Sequence, residues 1–335
     1  MDETLERNLY GLGDLELAVL VSLVAQEHCI FSTEYSRSNL CDEVDIICRA
    51  IFGLDTAIIK CSASTTVDEF TEGVLLDRST DAETPAGRSP SYGLPSNSLI
   101  FPPEAGQFGS NTLDTRRIAD VVIAMDLDLA SENIQVQALE LIRTKRVFSR
   151  TAMHTASKDL MVIAIMSSPG AHLSKHLNDL FCISHFHSAD DDVLYSSNQP
   201  EKLHMPSIPS SSIQSLRTLT SEVHLGPELA AYLHNVTVFM RNSRYISGGV
   251  TATATRQLRV IAKVLAPLHG LDYVPPSLVA LAAHKIYPHR IKLATVQTER
   301  SSQWGSDPEA VRRVLQGLTI EDAIADVLGS VETPL

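Results

Sequence analysis

The chain contains no Cys-x-x-Cys, no Gly-Lys pair, and no uninterrupted apolar run of the roughly 18 residues that a membrane-spanning helix needs. Its longest early apolar stretch, residues 15–25, is broken by Glu16 and Ser22. Its cysteines, Cys29, Cys41, Cys48, Cys61 and Cys182, are odd in number and lack zinc-ligand spacing. Cys29, Cys61 and Cys182 lie in apolar strand-like runs, which fits buried, reduced thiols. Cations are scarce. There are 27 Lys and Arg against 40 Asp and Glu, a formal net charge of −13. That balance argues against general electrostatic binding to nucleic acid or acidic lipid, because both need a positive surface field. The start, Met1-Asp2-Glu3, lacks the cationic opening of a secretory signal. The expectation is a cytoplasmic, soluble protein with no nucleic-acid or membrane partner.

What is present is order. Residues 14–27 carry apolar groups at helical spacing, residues 28–31 read as a strand, and residues 41–52 as an amphipathic helix that Gly53 can end. Residues 57–61 read as a further strand. Residues 77–114 are rich in Ser, Pro, Gly, Thr and Asn and predict a flexible insertion, with Ser89-Pro90 a weak phosphorylation signal. Then come a strand (118–125), a helix carrying Gln135, Leu139 and Ile142, a basic turn with Arg143, Lys145 and Arg146, and a strand (160–166). Residues 181–186 predict another strand. Residues 191–210 read as a linker, and after them the spacing turns helical: 222–240, 254–269, a helix opened by Pro275-Pro276, 308–317, and 319–331 with Thr319 as cap and Asp322 three residues on. Alternating strands and helices followed by helices alone predict an α/β domain and a small helical one.

These residues resemble the AAA+ ATPases of the MoxR and magnesium-chelatase branch, and more closely a group of fungal proteins bearing the magnesium-chelatase name. The likeness runs from about residue 12 to residue 291 and is clearest in the helical end. There Gly249, Gly270, Asp272, Tyr273, Val274, Pro276, His289 and Arg290 fall into the pattern of the family's lid without a gap. The resemblance implies a P-loop NTPase-like parallel sheet over residues 1–190 and a linker at 191–210. A MoxR/chelatase-type lid at 211–300 and a helical tail at 301–335 complete the expected plan.

Phosphoryl transfer in that family needs particular groups, and this chain differs at most of them. A phosphate loop of form GxxxxGK[ST] should follow residues 28–31, yet residues 32–44 contain no glycine. Ser32, Ser36 and Ser38 are what remains there, and Glu34 adds negative charge where polyphosphate would sit. The Asp-Glu pair that holds Mg²⁺ and activates water aligns with Met125 and Asp126; a shifted register offers Asp126 and Asp128 instead. The polar residue at the end of the next strand becomes Ser167 or Ser168. The arginine expected near residue 180 is Leu180, and the lid arginine is lost from Thr251-Ala252-Thr253, with Arg256 one turn further on.

The expectation is therefore a non-enzymatic subunit or scaffold without cofactors, assembling with itself, AAA+ relatives, or chelatase-type partners. The alternative is an ATP- and Mg-dependent motor built on Asp126, Asp128, Ser167, Ser168 and Arg256. No metal site is expected; His185 and His187 with Asp190, Asp191 and Asp192 read as a strand end entering an acidic linker. Trp304, the single tryptophan, lies in a polar loop that could mark an interface.

Overall fold

The computed structural model describes residues 9, 11–77, 116–150, 152–188 and 207–334. Residues 78–114 of the expected insertion, Ser89-Pro90, most of the expected linker, and Asp190 to Asp192 lie outside them.

Five parallel strands form the central sheet: β1 (His28–Thr33), β2 (Thr56–Lys60), β3 (Val121–Met125), β4 (Met161–Ile165) and β5 (Phe181–His187). Their spatial order is β2-β3-β4-β1-β5. β3 (VVIAM) and β4 (MVIAI) are buried at every position, as central parallel strands covered on both faces must be. Val121, Ile123 and Met125 point into one apolar cluster, while Val122 and Ala124 point into the other. β2 is an edge strand and accordingly exposes Ile58 and Lys60.

One face is covered by α1 (Asp14–Ala25), by α2 (Arg37–Ile46, continued by a π-helical turn Ile47–Ile51), and by the C-terminal helices. The other carries α3 (Val67–Gly73), α4 (Glu132–Thr144) and the short α5 (Lys175–Asn178). α1 is apolar nearly all round because it is wrapped by the sheet on one side and by α6 (Ser210–Glu222) and α8 (Ala252–Leu268) on the other. α7 (Pro227–Asn242), α9 (Pro276–Ile286), α10 (Pro308–Leu315) and α11 (Ile320–Ser330) complete the helical end. The expected capping box at α11 is present, with Thr319 and Asp322 bonding reciprocally. Ala323, Ile324 and Val327 join the same apolar cluster as α1 and the sheet. No helix among the described residues is long and apolar enough to cross a membrane.

Several boundaries differ from the sequence reading. α2 starts at Arg37 rather than residue 41, because Ser36 caps it by accepting from the Asn39 amide. The strand expected at 118–125 is two pieces. Arg117–Ile118 pairs with Leu75–Leu76, and β3 begins at Val121. The basic turn opens into a hairpin, Arg146–Phe148 against Met153–Thr155. The helix read as 222–240 is two, since Glu222 ends α6 and Pro227 opens α7. The end of the expected linker is packed: Ile208 is fully buried, and its amide donates to the Ile51 carbonyl at 2.8 Å.

Candidate functional site

Ligand sites in parallel α/β sheets lie beyond the carboxyl ends of the strands. Here the ends of β1, β4 and β3 lie side by side, with β4 between the other two. The sheet is tied there by main-chain bonds from Met166 to the Phe31 carbonyl (2.9 Å) and from Asp126 to the Ile165 carbonyl (2.8 Å). Met125, the last residue of β3, is buried in the apolar cluster that holds Leu40, Cys41 and Val44 of α2. Its thioether offers a hard cation no oxygen.

Asp126 follows in a left-handed conformation, φ 58° and ψ 35°, which is uncommon outside glycine. Its carboxylate forms an ion pair with the Arg37 guanidinium at the first turn of α2. Asp128 turns toward β4. One of its oxygens accepts from the Ser167 amide at 2.9 Å and the other from the Ser167 hydroxyl. Asp126, Asp128 and Ser167 are thus brought together, each with a partner inside the chain. Ser168 is exposed, and its carbonyl accepts from Ala171.

The expected remnant of the phosphate loop does not form a cradle of its own. Ser32 belongs to β1, Ser36 caps α2, and Ser38 lies within α2. The group that the sequence reading missed is Arg37. Ser36-Arg37-Ser38 stands where Gly-Lys-Ser/Thr would close a phosphate loop, at the N-terminus of the following helix. The available signal was an arginine directly after a serine helix cap. Taken together, a buried thioether, two internally satisfied carboxylates and a loop without glycine are a poor match to Mg²⁺ and a triphosphate.

Arg256 does not join this group. It reaches Glu27 at 3.3 Å, next to the start of β1 and so at the opposite end of the strands. The amino ends of β1 and β5 are where the helical end is anchored. Gln257 donates to Glu27 at 2.7 Å, and Glu27, desolvated by burial, has its carboxyl pKa raised. Arg290 is almost fully buried. It bonds Asp179 at 2.7 Å, the Phe181 carbonyl, and the Gln257 side-chain oxygen. The segment Asn178-Asp179-Leu180, where an arginine was expected, therefore serves as a docking surface. Asn178 also donates to the His289 carbonyl at 2.9 Å. Gly249 has φ +107°, and a Cβ there would lie 2.0 Å from the Arg290 carbonyl oxygen. Gly249 and Arg290 thus depend on each other through close backbone contact.

The strand-end histidines His185 and His187 are both buried. His185 stacks edge-on against Phe31, and His187 lies 3.5 Å from the Glu43 carboxylate. No group of three metal-binding side chains occurs among the described residues. Lys145 turns inward to donate to the Leu160 carbonyl at 3.0 Å, and burial lowers its pKa. All five cysteines are free and buried; burial pushes the Cys61 thiol up to about 12, far from a reactive thiolate.

No family model matches the chain, and no curated protein matches it significantly. Solved structures do. A protein of Cytophaga hutchinsonii described as a candidate ATPase superposes with a TM-score of 0.66 at 14% identity, covering 95% of this chain and 89% of that one. An MCM homologue of Methanopyrus kandleri gives a TM-score of 0.47 at 15% identity over 86% of this chain and 59% of that one. With the five-stranded parallel sheet and the helical end, the first of these similarities shows a P-loop NTPase-like α/β fold.

Proposed function

We propose that this AAA+-type chain is a catalytically degenerate subunit or scaffold of the magnesium-chelatase and MoxR kind, acting through assembly with partners. The observation that carries this reading is the Arg37–Asp126 ion pair beside a buried Met125. The position that should hold Mg²⁺ is a thioether, and the following acid, which should activate water, is neutralised from within. Loss of such charged groups costs orders of magnitude in phosphoryl transfer. Asp128, held by Ser167, does not replace them. On this reading the chain needs no cofactor. Its partners are copies of itself, active AAA+ relatives, or chelatase-type subunits.

A second reading has one observation in its favour. Arg37-Ser38 follows the loop where Lys-Ser/Thr would, so an arginine could reach a phosphate and leave Asp126 to a cation. The chain would then be an ATP- and Mg-dependent motor with a non-standard site. Phosphate-release assays on the purified chain, alone and after capture with its native partners, separate the two. The degenerate reading expects no release above the protein-free blank from the isolated chain. It also expects no change in the assembled material when Asp126→Asn replaces the wild type. Turnover by the isolated chain that disappears in Asp126→Asn would establish the motor.

A further inference from the structure

The hairpin after α4 takes no part in the site above. Its strands, Arg146–Phe148 and Met153–Thr155, pair antiparallel, with Val147 opposite His154 and Phe148 opposite Met153. Side chains alternate across a strand, so Val147 and His154 turn inward and are buried, while Arg146, Phe148, Met153 and Thr155 share the outer face. The hairpin is held at its base and at its tip. His154 Nδ1 lies 3.1 Å from the Arg116 carbonyl, the Ala156 amide donates to the Lys145 carbonyl at 2.8 Å, and the Arg150 guanidinium is ion-paired with Asp68 of α3. Phe148 is nevertheless 67% exposed and Met153 50%. Because they stand directly opposite on adjacent strands, they make one apolar spot. Trp304 is more exposed, at 88%, but it is the single large apolar side chain of its turn, Arg300–Trp304.

The charges that adjoin this spot are cationic and unspent. Arg143, in the last turn of α4, and Arg146 are both exposed, and neither side chain has an ion-pair or hydrogen-bond partner among the described residues. The end of a helix favours a cation, which accounts for Arg143; Arg146 lies beyond the helix and gains nothing from it. In a chain of net charge −13, two unpaired arginines beside an exposed aromatic ring and thioether are exceptional. Aromatic, Met and Arg side chains are the groups enriched where proteins meet. The complement to this face is a protein segment with carboxylates for the two guanidinium groups and an apolar side chain for Phe148 and Met153. A nucleic acid fits less well. Its affinity comes from neutralising many phosphates, whereas Arg150 is already spent on Asp68, with Glu72 also near it. We propose that the outer face of this hairpin receives an acidic, apolar-anchored segment of a partner protein. The proposal rests on the assembly reading and states the chemistry of the partner.

Fluorescence anisotropy with the full-length chain tests this. The probe is a labelled short peptide of alternating glutamate and leucine, compared with its glutamine–leucine counterpart and with a labelled single-stranded oligonucleotide. Thermal melts confirm that each variant is folded, and the substituted side chains are all exposed. The acidic peptide should bind saturably, and the glutamine peptide at least ~10-fold more weakly. Phe148→Ala should weaken binding of the acidic peptide by ~10-fold or more, as truncation of an interface anchor does. The double variant Arg143→Ala with Arg146→Ala should do the same, and Arg259→Ala, which removes an exposed arginine of α8, should leave binding unchanged. Absence of binding to the acidic peptide would overturn the proposal, as would binding that survives both hairpin variants. Oligonucleotide binding as tight as that of the acidic peptide, and lost in the same variants, would overturn it in favour of a nucleic-acid partner. None of these results bears on the degenerate reading of the crevice, which the phosphate-release assays can refute independently.

Discussion

Arg290 holds the helical end to the sheet, and replacing it with methionine should show how strongly. The side chain is almost fully buried and serves the Asp179 carboxylate, the Phe181 carbonyl and the Gln257 amide oxygen. Arg290→Met conserves much of the volume and removes all of these donors. Breaking a buried ion pair by deleting one partner costs about 3–5 kcal/mol, because the other partner is stranded. Asp179 is 27% exposed and can regain water, which favours the lower end of that range, about 3 kcal/mol. Against a typical total of about 5–15 kcal/mol this is a large fraction. At ~2–4 °C per kcal/mol it lowers the melting temperature by roughly 6–12 °C. Arg290→Lys should recover little, since a single ammonium cannot span three acceptors that a planar guanidinium reaches together. Urea unfolding followed by circular dichroism is the assay; the exposed Trp304 is a poor fluorescence reporter. A loss below about 1 kcal/mol in Arg290→Met would refute the assignment of Arg290 as the anchor.

Gly249→Ala should destabilise the same corner by at least ~2 kcal/mol in urea unfolding, because its φ is positive and a methyl would meet the Arg290 carbonyl. Burial holds His28 and His289 neutral, with pKa values lowered to about 3. Their ring signals should therefore not titrate by NMR between pH 8 and pH 4.5, and a midpoint near 6.5 for either would contradict their burial. Because these folded pKa values lie below the unfolded 6.5, the histidines make stability fall as pH drops below about 6.5. Glu27 has the opposite sign. Its folded pKa is raised above 4.5, so the folded state holds that proton more tightly, and stability falls as pH rises from 4.5 through the raised value. In that window the two histidines raise stability with pH and Glu27 opposes them, so urea midpoints should climb more steeply with pH in Glu27→Gln than in the wild type; an unchanged slope would exclude Glu27 as an opposing group.

The parts of this fold that could be read from sequence are those with local causes. β3 and β4 are continuous apolar runs because both faces of the sheet are covered, and α11 announces itself through Thr319 and Asp322. The helices opened by Pro276 and Pro308 follow from the same kind of local rule. What escaped depends on distant partners. Arg37 and Asp126 are 89 residues apart, and no spacing along the chain joins them. Arg256 sits one helical turn beyond the expected position, yet the orientation of α8 sends it to Glu27. The hairpin from Arg146 to Thr155 was hidden because a short basic stretch after a helix reads equally well as a turn. In the candidate site, the residue types at Met125, Asp126 and Ser167 were legible. That Asp126 and Asp128 are each satisfied by a neighbour required the three-dimensional structure.

The central claim is that this crevice no longer grips a triphosphate. Isothermal titration of the folded, full-length chain with Mg-ATP addresses it directly. The account predicts no saturable heat up to ~1 mM nucleotide, equivalent to less than about 4 kcal/mol of binding. A one-to-one isotherm with micromolar affinity, weakened by Arg37→Ala, would contradict it.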